Sequence, residues 1–352
     1  MMKRMVKSLL LGAILLSAPA RAQTADADAA LNARVDRAVD RGLEYLASRQ
    51  RANGAYEGGY GDTAAITALA GMAFLSKGYL PGEGPYGENI NRSLDYVLTC
   101  ADNNGYFGGK SGGQMYAHSI ATLFLSESSG MVDAARQKKL DAALAKAVKI
   151  ILDAQTARKS EQHQGGWRYS PSSSDSDMSC SGWALMALRS CRLNGGAVPP
   201  KAIEDAVEYV KRHHSKDSGS FGYQDANGYG ITLTGAGMLC LELCGRHNDP
   251  ATLRAAGYLM KNHRDLINQQ RCFYGLYYSA QGLFQLGGDS WKTFSTWMYE
   301  TLIPLQKSDG SWDRGEEGSA AYQTAMCILA FTVPYRQLPI YQRDETVDED
   351  KK

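Results

Sequence analysis

The sequence is short of several things that would announce a common chemistry. It contains no Cys-x-x-Cys and no His-Glu-x-x-His, so neither a redox pair nor a helical zinc site is indicated. Its seven cysteines (Cys100, Cys180, Cys191, Cys240, Cys244, Cys272 and Cys327) are an odd number, which leaves at least one unpaired in any compartment. Most lie in apolar helical stretches, where a free cysteine packs as a small hydrophobe. Cys240 and Cys244 share a helix face, with no third ligand nearby. Neither sign of charge dominates: 38 basic residues stand against 37 acidic ones, so the chain has no overall charge with which to recruit nucleic acid or an anionic membrane. No segment reaches about 18 uninterrupted apolar residues, so no transmembrane helix is expected. Phenylalanine is scarce, 8 against 20 tyrosines, which tilts any internal cavity toward a hydrogen-bonding lining.

The first 22 residues read as a secretory leader. Lys3, Arg4 and Lys7 precede an apolar run from Leu9 to Leu16, and Ala20-Arg21-Ala22 offers a small-x-small cleavage site. A secreted or periplasmic protein is expected, and cleavage leaves 34 basic against 37 acidic residues. Residues 23–340 read as one continuous domain, and the charged segment 341–352 as a disordered tail. The polar insertion 157–164 is expected to be flexible as well.

Six times a helix-like stretch is followed by a glycine-plus-aromatic turn and a second, more apolar stretch. Residues 41–50 lead to Gly54-Ala55-Tyr56, and Gln306-Lys307-Ser308-Asp309 leads to Gly310-Ser311-Trp312. Weaker copies end in Gly165-Gly166-Trp167 and Gly219-Ser220-Phe221, and degenerate ones in Gly105-Tyr106-Phe107 and Phe273-Tyr274-Gly275. In the fourth copy Ile203, Ala206, Val207 and Val210 share one face of the first helix, opposite Lys201, Glu204, Glu208 and Lys211. The second helix, with Gly235-Ala236-Gly237-Met238-Leu239-Cys240-Leu241, is apolar all round and must be covered on several sides. First helices therefore form an outer layer and second helices an inner one, in either an open solenoid or a closed ring.

The basic-Gly, aromatic-aliphatic, Gln, Gly-x-aromatic pattern resembles the QW repeat of squalene and hopene cyclases. The whole domain resembles the terpenoid cyclase and protein prenyltransferase superfamily. That resemblance implies an all-α fold, an (α/α)6 toroid of six inner and six outer helices around a central cavity. In the resembling folds chemistry sits where the inner helices begin, and the polar residues at those starts are the candidate cavity-binding residues: Asp62, Tyr116, His118, Arg168, Tyr169, Ser179, Tyr278 and Tyr322. Each is equally read as a helix cap or a core group, and His118, alone among apolar neighbours, as a satisfied core histidine.

Asp175-Ser176-Asp177 is similar to the first three positions of the Asp-x-Asp-Asp motif with which hopene-type cyclases protonate substrate. That similarity implies Asp177 as the catalytic acid and Asp175 as its electrostatic partner, with Met178 where the fourth position requires a carboxylate. Protein prenyltransferases hold zinc with an Asp-x-Cys and a later His. Here Ser179 replaces the thiolate and Gly275 the imidazole, so the zinc set is degenerate and no metal or cofactor is expected. The thioester segment of complement-type toroids is absent. Toroidal glycosidases and lyases need an acid pair or a Tyr/His/Arg base, which Asp62, His118, Asp177, Arg168, Tyr116, Tyr229 and Tyr278 could furnish. The sequence thus points to an exported toroid that binds a small-molecule, lipid, glycan or peptide ligand in its cavity. The alternatives are metal-independent isoprenoid cyclisation or isomerisation by Asp177, and a glycan hydrolase or lyase.

Overall fold

In the computed structural model, residues 18–58, 61–62, 64–109, 113–228, 230–315 and 317–342 are described. The leader up to residue 17, Tyr229, the side chain of Asp62 and the tail from 343 lie outside the described residues.

Repeated hairpins arise because each outer helix has one apolar stripe and each inner helix has apolar residues all round. The outer helices are α1 (Ala18–Arg49), α3 (Gly87–Thr99), α5 (Ala134–Thr156), α7 (Pro200–Arg212), α9 (Pro250–Asn262) and α11 (Gly288–Leu302). The inner helices are α2 (Ala64–Ser76), α4 (Gln114–Glu127), α6 (Met178–Leu193), α8 (Gly230–Leu243), α10 (Cys272–Leu286) and α12 (Ala320–Phe331). In α7, Ile203, Ala206, Val207 and Val210 are buried while Lys201, Glu204, Glu208 and Lys211 are exposed. In α8 every residue from Leu233 to Leu243 is buried.

The inner helices pack in chain order, and α12 packs back onto α2, which closes the ring. Each outer helix covers the inner helix of the preceding hairpin, and α1 covers α12. The fold is therefore an all-α toroid. The only strands among the described residues are Glu57–Gly58 and Gly61–Asp62, a two-residue antiparallel pair ahead of α2.

The turn residues act as fasteners between neighbouring hairpins. Gln50 Nε2 donates to Gly54 O at 3.1 Å and to Asn89 O of α3 at 2.9 Å. Gln155 donates to Gly165 O at 3.0 Å and to Ala202 O of α7 at 2.8 Å. Gln306 donates to Gly310 O at 2.9 Å and to Ala38 O of α1 at 2.7 Å, linking the last hairpin to the first. Gly310, at φ +90°, lies so close to α1 that a Cβ would stand 2.3 Å from Arg41 O, so no side chain fits there. The aromatic after each glycine is buried: Tyr56, Phe107, Trp167, Phe221 and Trp312 are at most 1 % exposed. Its backbone N–H is taken by a residue of the inner helix: Thr67 Oγ1 (3.1 Å), Ser181 Oγ (2.9 Å), Thr234 Oγ1 (3.1 Å) and Thr324 Oγ1 (3.0 Å). The two indoles donate back to the outer helices, Trp167 to Ile151 O at 2.7 Å and Trp312 to Leu302 O at 2.8 Å.

The end of the ring where the inner helices finish is closed by the chain's own C-terminal segment. Glu127 accepts Ile340 N–H at 3.0 Å, Gln285 donates to Tyr341 O at 3.0 Å, and Tyr341 Oη donates to Leu329 O at 3.1 Å. Tyr341 is 1 % exposed, so the folded domain runs past residue 340, where the sequence placed its end. The insertion 157–164 is likewise anchored, by a 3-10 turn over Glu161–His163 and by bonds from Ser176 N and Oγ to His163 Nδ1 (3.2 Å) and O (2.8 Å). Along the axis, Trp183 of α6 stacks on Tyr277 of α10 with ring centres 5.5 Å apart, and meets Tyr278 edge-on at 5.4 Å. Tyr278 reaches across to α6, its hydroxyl 3.2 Å from where a Cβ on Gly182 would lie. Aromatic side chains thus occupy the middle of the ring.

Candidate functional site

The end of the ring where the inner helices begin gathers most of the polar side chains that the sequence singled out. Asp177 is the N-cap of α6, and its backbone pairs with Trp167, so the turn and the cap are one unit. Its Oδ1 accepts from Cys180 N–H at 2.8 Å and from Ser179 Oγ at 2.6 Å; Arg168 lies 3.2 Å from Oδ2. Because Ser179 Oγ donates to Asp177, Tyr116 Oη, 2.5 Å away, donates to Ser179, and a hydroxyl relay runs from α4 to the carboxylate. Asp177 is fully buried. Burial pushes its carboxyl above the ordinary range, and this outweighs the lowering by Ser179, the Cys180 amide and Arg168.

Arg168 is held by stacking as well as charge. Its guanidinium lies 4.4 Å from the Tyr169 ring centre and 5.4 Å from that of Tyr223, whose hydroxyls bond to each other. The backbones of the same two tyrosines cap the inner helices: Tyr169 O accepts from Met115 N at 3.0 Å and Tyr223 O from Met178 N at 2.8 Å. Asp175 is displaced from the role expected of it. Its side chain is 41 % exposed, Gln224 donates to it at 3.0 Å, and Arg168 lies 3.4 Å away, between it and Asp177. A guanidinium placed there counters Asp177 where a second carboxylate would have repelled it.

His118 does not join this group. It occupies the place where the other hairpins have serine or threonine, with Nδ1 accepting from Phe107 N–H at 3.3 Å and Nε2–H donating to Ala147 O at 3.1 Å. It is fully buried, and burial lowers its pKa to about 4, so it is a neutral core histidine.

Across the ring stand Tyr278 and Tyr322, with two residues that the sequence reading passed over, Glu317 and Tyr274. Glu317 accepts the first free amides of α10, Phe273 N–H at 2.8 Å and Tyr274 N–H at 3.0 Å, and the Tyr322 hydroxyl at 3.1 Å. Burial pushes its carboxyl up to about 7. Tyr274 packs on Tyr278 with ring centres 4.8 Å apart. Burial, then the charges of Asp177 and Cys180, raise the Tyr274 phenol; burial, then Cys180 and Asp177, raise that of Tyr116. Tyr116, Asp177, Cys180 and Tyr274 therefore lie close enough to feel one another's charge. The hydroxyls of Tyr274 and Tyr278 are buried, with no hydrogen-bond partner other than each other. Tyr274 is visible in the sequence only as the i−4 neighbour of Tyr278, and Glu317 only as an acid ahead of an inner helix. Neither carries a motif. Among the described residues no group of three or more His, Cys, Asp or Glu side chains is arranged to hold a metal, and the seven cysteines are buried and joined by no disulfide.

No protein-family model matches the chain, and no curated protein matches its sequence. Solved structures share its architecture. The type II terpene cyclase MstE from Scytonema superposes with a TM-score of 0.58 at 14 % identity, over 87 % of this chain and 99 % of that one. A glycosidase variant in complex with glucose superposes at 0.57 and 12 % identity, over 88 % and 98 %. A reducing-end xylose-releasing exo-oligoxylanase superposes at 0.50 and 13 %, over 80 % and 82 %. At such identities the likeness is one of fold, and it identifies the chain as an (α/α)6 toroid of the kind shared by terpene cyclases and glycosidases.

Proposed function

We propose that the end of the ring where the inner helices begin binds a hydroxyl-bearing ligand, with Tyr116, Ser179, Tyr274 and Tyr278 as its polar contacts. The observation that carries this reading is the pair of buried hydroxyls on Tyr274 and Tyr278, which have no partner but each other and so leave one donor over. A buried donor without a partner costs about 1–3 kcal/mol, and a guest hydroxyl would remove that cost. The aromatic packing of Trp183, Tyr277 and Tyr278 limits the depth open to a long apolar chain, which favours a compact polar guest such as a sugar. The leader composition supports export, to the cell exterior or the periplasm. The glutamine fasteners support descent from the QW-repeat lineage, with the zinc set lost at Ser179 and Gly275.

A second reading has one observation of its own. Burial favours the protonated form of Asp177, the state an acid catalyst needs. Asp177 would then start metal-independent isoprenoid chemistry, or act with Glu317 on a glycan. Mass spectrometry of protein purified natively from its own compartment separates the readings. A stoichiometric polar, hydroxylated small molecule is expected. A stoichiometric isoprenoid would replace the first reading with the second.

A further inference from the structure

Turn cations in the first and sixth hairpins are neutralised locally. In the first hairpin Arg51 lies 3.5 Å from Glu57, three residues after the turn glycine. In the sixth, Lys307 lies 2.7 Å from Asp313, again three residues after the glycine, and Arg49 lies 3.7 Å from Asp309, the residue before it. The fourth hairpin has the same framework. Arg254 Nη1 donates to Lys216 O at 2.8 Å, as Arg41 Nη2 does to Lys307 O at 2.8 Å. Ser218 takes the structural role of Asp309, accepting Ser220 N–H at 3.2 Å where Asp309 accepts Ser311 N–H at 3.0 Å.

Both counter-charges are missing from the fourth hairpin. Ser218 has no charge, and the position three after the glycine is Gly222, where a Cβ would lie 2.2 Å from Asp225 O and 2.5 Å from Asn227 O. The chain from 225 to 227 thus forbids a carboxylate at that point. The turn is also one residue longer, its Gly219 N–H bonding back four residues to Ser215 O, and the added length presents Lys216. One side of α9 supplies Arg254 and Lys261, seven residues apart. Lys216, Arg254 and Lys261 line a groove of about 620 Å³ together with Ser218, Tyr258 and a single acid, Asp217. No ion pair joins these three cations to a carboxylate among the described residues. Burial first, then the charges of Arg254 and Lys216, lower His214 behind the groove.

We propose that this outer groove is a binding site for a phosphate group, met as free phosphate or as an anionic lipid headgroup. Two mobile ammonium groups, a guanidinium and the Ser218 hydroxyl supply donors around a tetrahedral oxyanion. The site is separate from the end of the ring where the inner helices begin and does not depend on what that end binds.

The test is calorimetric titration of the full chain with inorganic phosphate at low ionic strength, beside co-sedimentation with vesicles of phosphatidylglycerol in phosphatidylcholine. Saturable binding in at least one arm is expected. It should weaken at least about tenfold in Lys216→Ala/Lys261→Ala and in Ser218→Asp, which restores the carboxylate of the sixth hairpin, and stay unchanged in Lys307→Ala. Binding in the titration alone identifies free phosphate as the source, and binding to vesicles alone identifies the headgroup. Absence of saturable binding in both arms, or equal loss in Lys307→Ala, would overturn the proposal.

Discussion

Two buried hydroxyls with no partner but each other make a prediction that separates stability from function. Replacing Tyr274 and Tyr278 by phenylalanine keeps the two rings, which pack on each other and, through Tyr278, on Trp183, and removes only two hydroxyls with no partner outside the pair. Chemical denaturation should show each variant within about 0.5 kcal/mol of the parent, or slightly more stable, whereas truncating a satisfied buried group costs about 1–3 kcal/mol. His118 supplies the opposite case. Both of its nitrogens are spent on backbone partners, so His118→Ala removes two buried hydrogen bonds and the ring that makes them, and should cost about 2–4 kcal/mol in the same assay. It should also remove an acid sensitivity. The folded pKa of about 4 lies below the ordinary 6.5, so the unfolded chain binds the extra proton and stability is lost as pH falls from 6.5 toward 4.

Between elements, the fasteners and the buried acids carry the account. Gln155 is 5 % exposed and joins its own turn to α7 by two bonds, so Gln155→Ala should destabilise by about 1–3 kcal/mol and lower the thermal midpoint. Glu127, which ties α4 to the C-terminal segment, is pushed up by burial to about 7, and so is Glu317. For both, the folded pKa exceeds the ordinary 4.5, so the native state holds protons that the unfolded chain releases. Their contribution is full below 4.5 and is lost as pH rises through about 7, opposite in sign to that of His118. Stability measured by urea unfolding between pH 6.5 and 8 should therefore fall with pH, and Glu127→Gln should remove about half of that slope.

At the scale of the whole molecule, how much could be read in advance depended on whether the signal was periodic. The ring of hairpins was legible because glycine, glutamine and an aromatic recur at fixed offsets: the glutamine and the glycine contact the neighbouring hairpin, and the aromatic joins the two helices of its own. The rim around Asp177 was legible because Asp175, Asp177, Arg168 and Tyr169 are close in sequence. Its electrostatics were not, since which charge faces Asp177 depends on how Arg168 is clamped between two tyrosines from different hairpins. Across the ring, Tyr278 and Tyr322 were singled out in the sequence, but Glu317 and Tyr274 were missed for a similar reason. Glu317, Tyr274 and Tyr322 meet only once α10 and α12 are neighbours. The account's central claim is that this end of the ring takes a polar guest. It is tested most directly by saturation-transfer NMR of the parent and Tyr274→Phe/Tyr278→Phe proteins against mono- and disaccharides and polyprenyl diphosphates. Saturable binding of at least one saccharide, about tenfold weaker in the double variant, is predicted. Binding of polyprenyl chains alone, or saccharide binding indifferent to both hydroxyls, would contradict it.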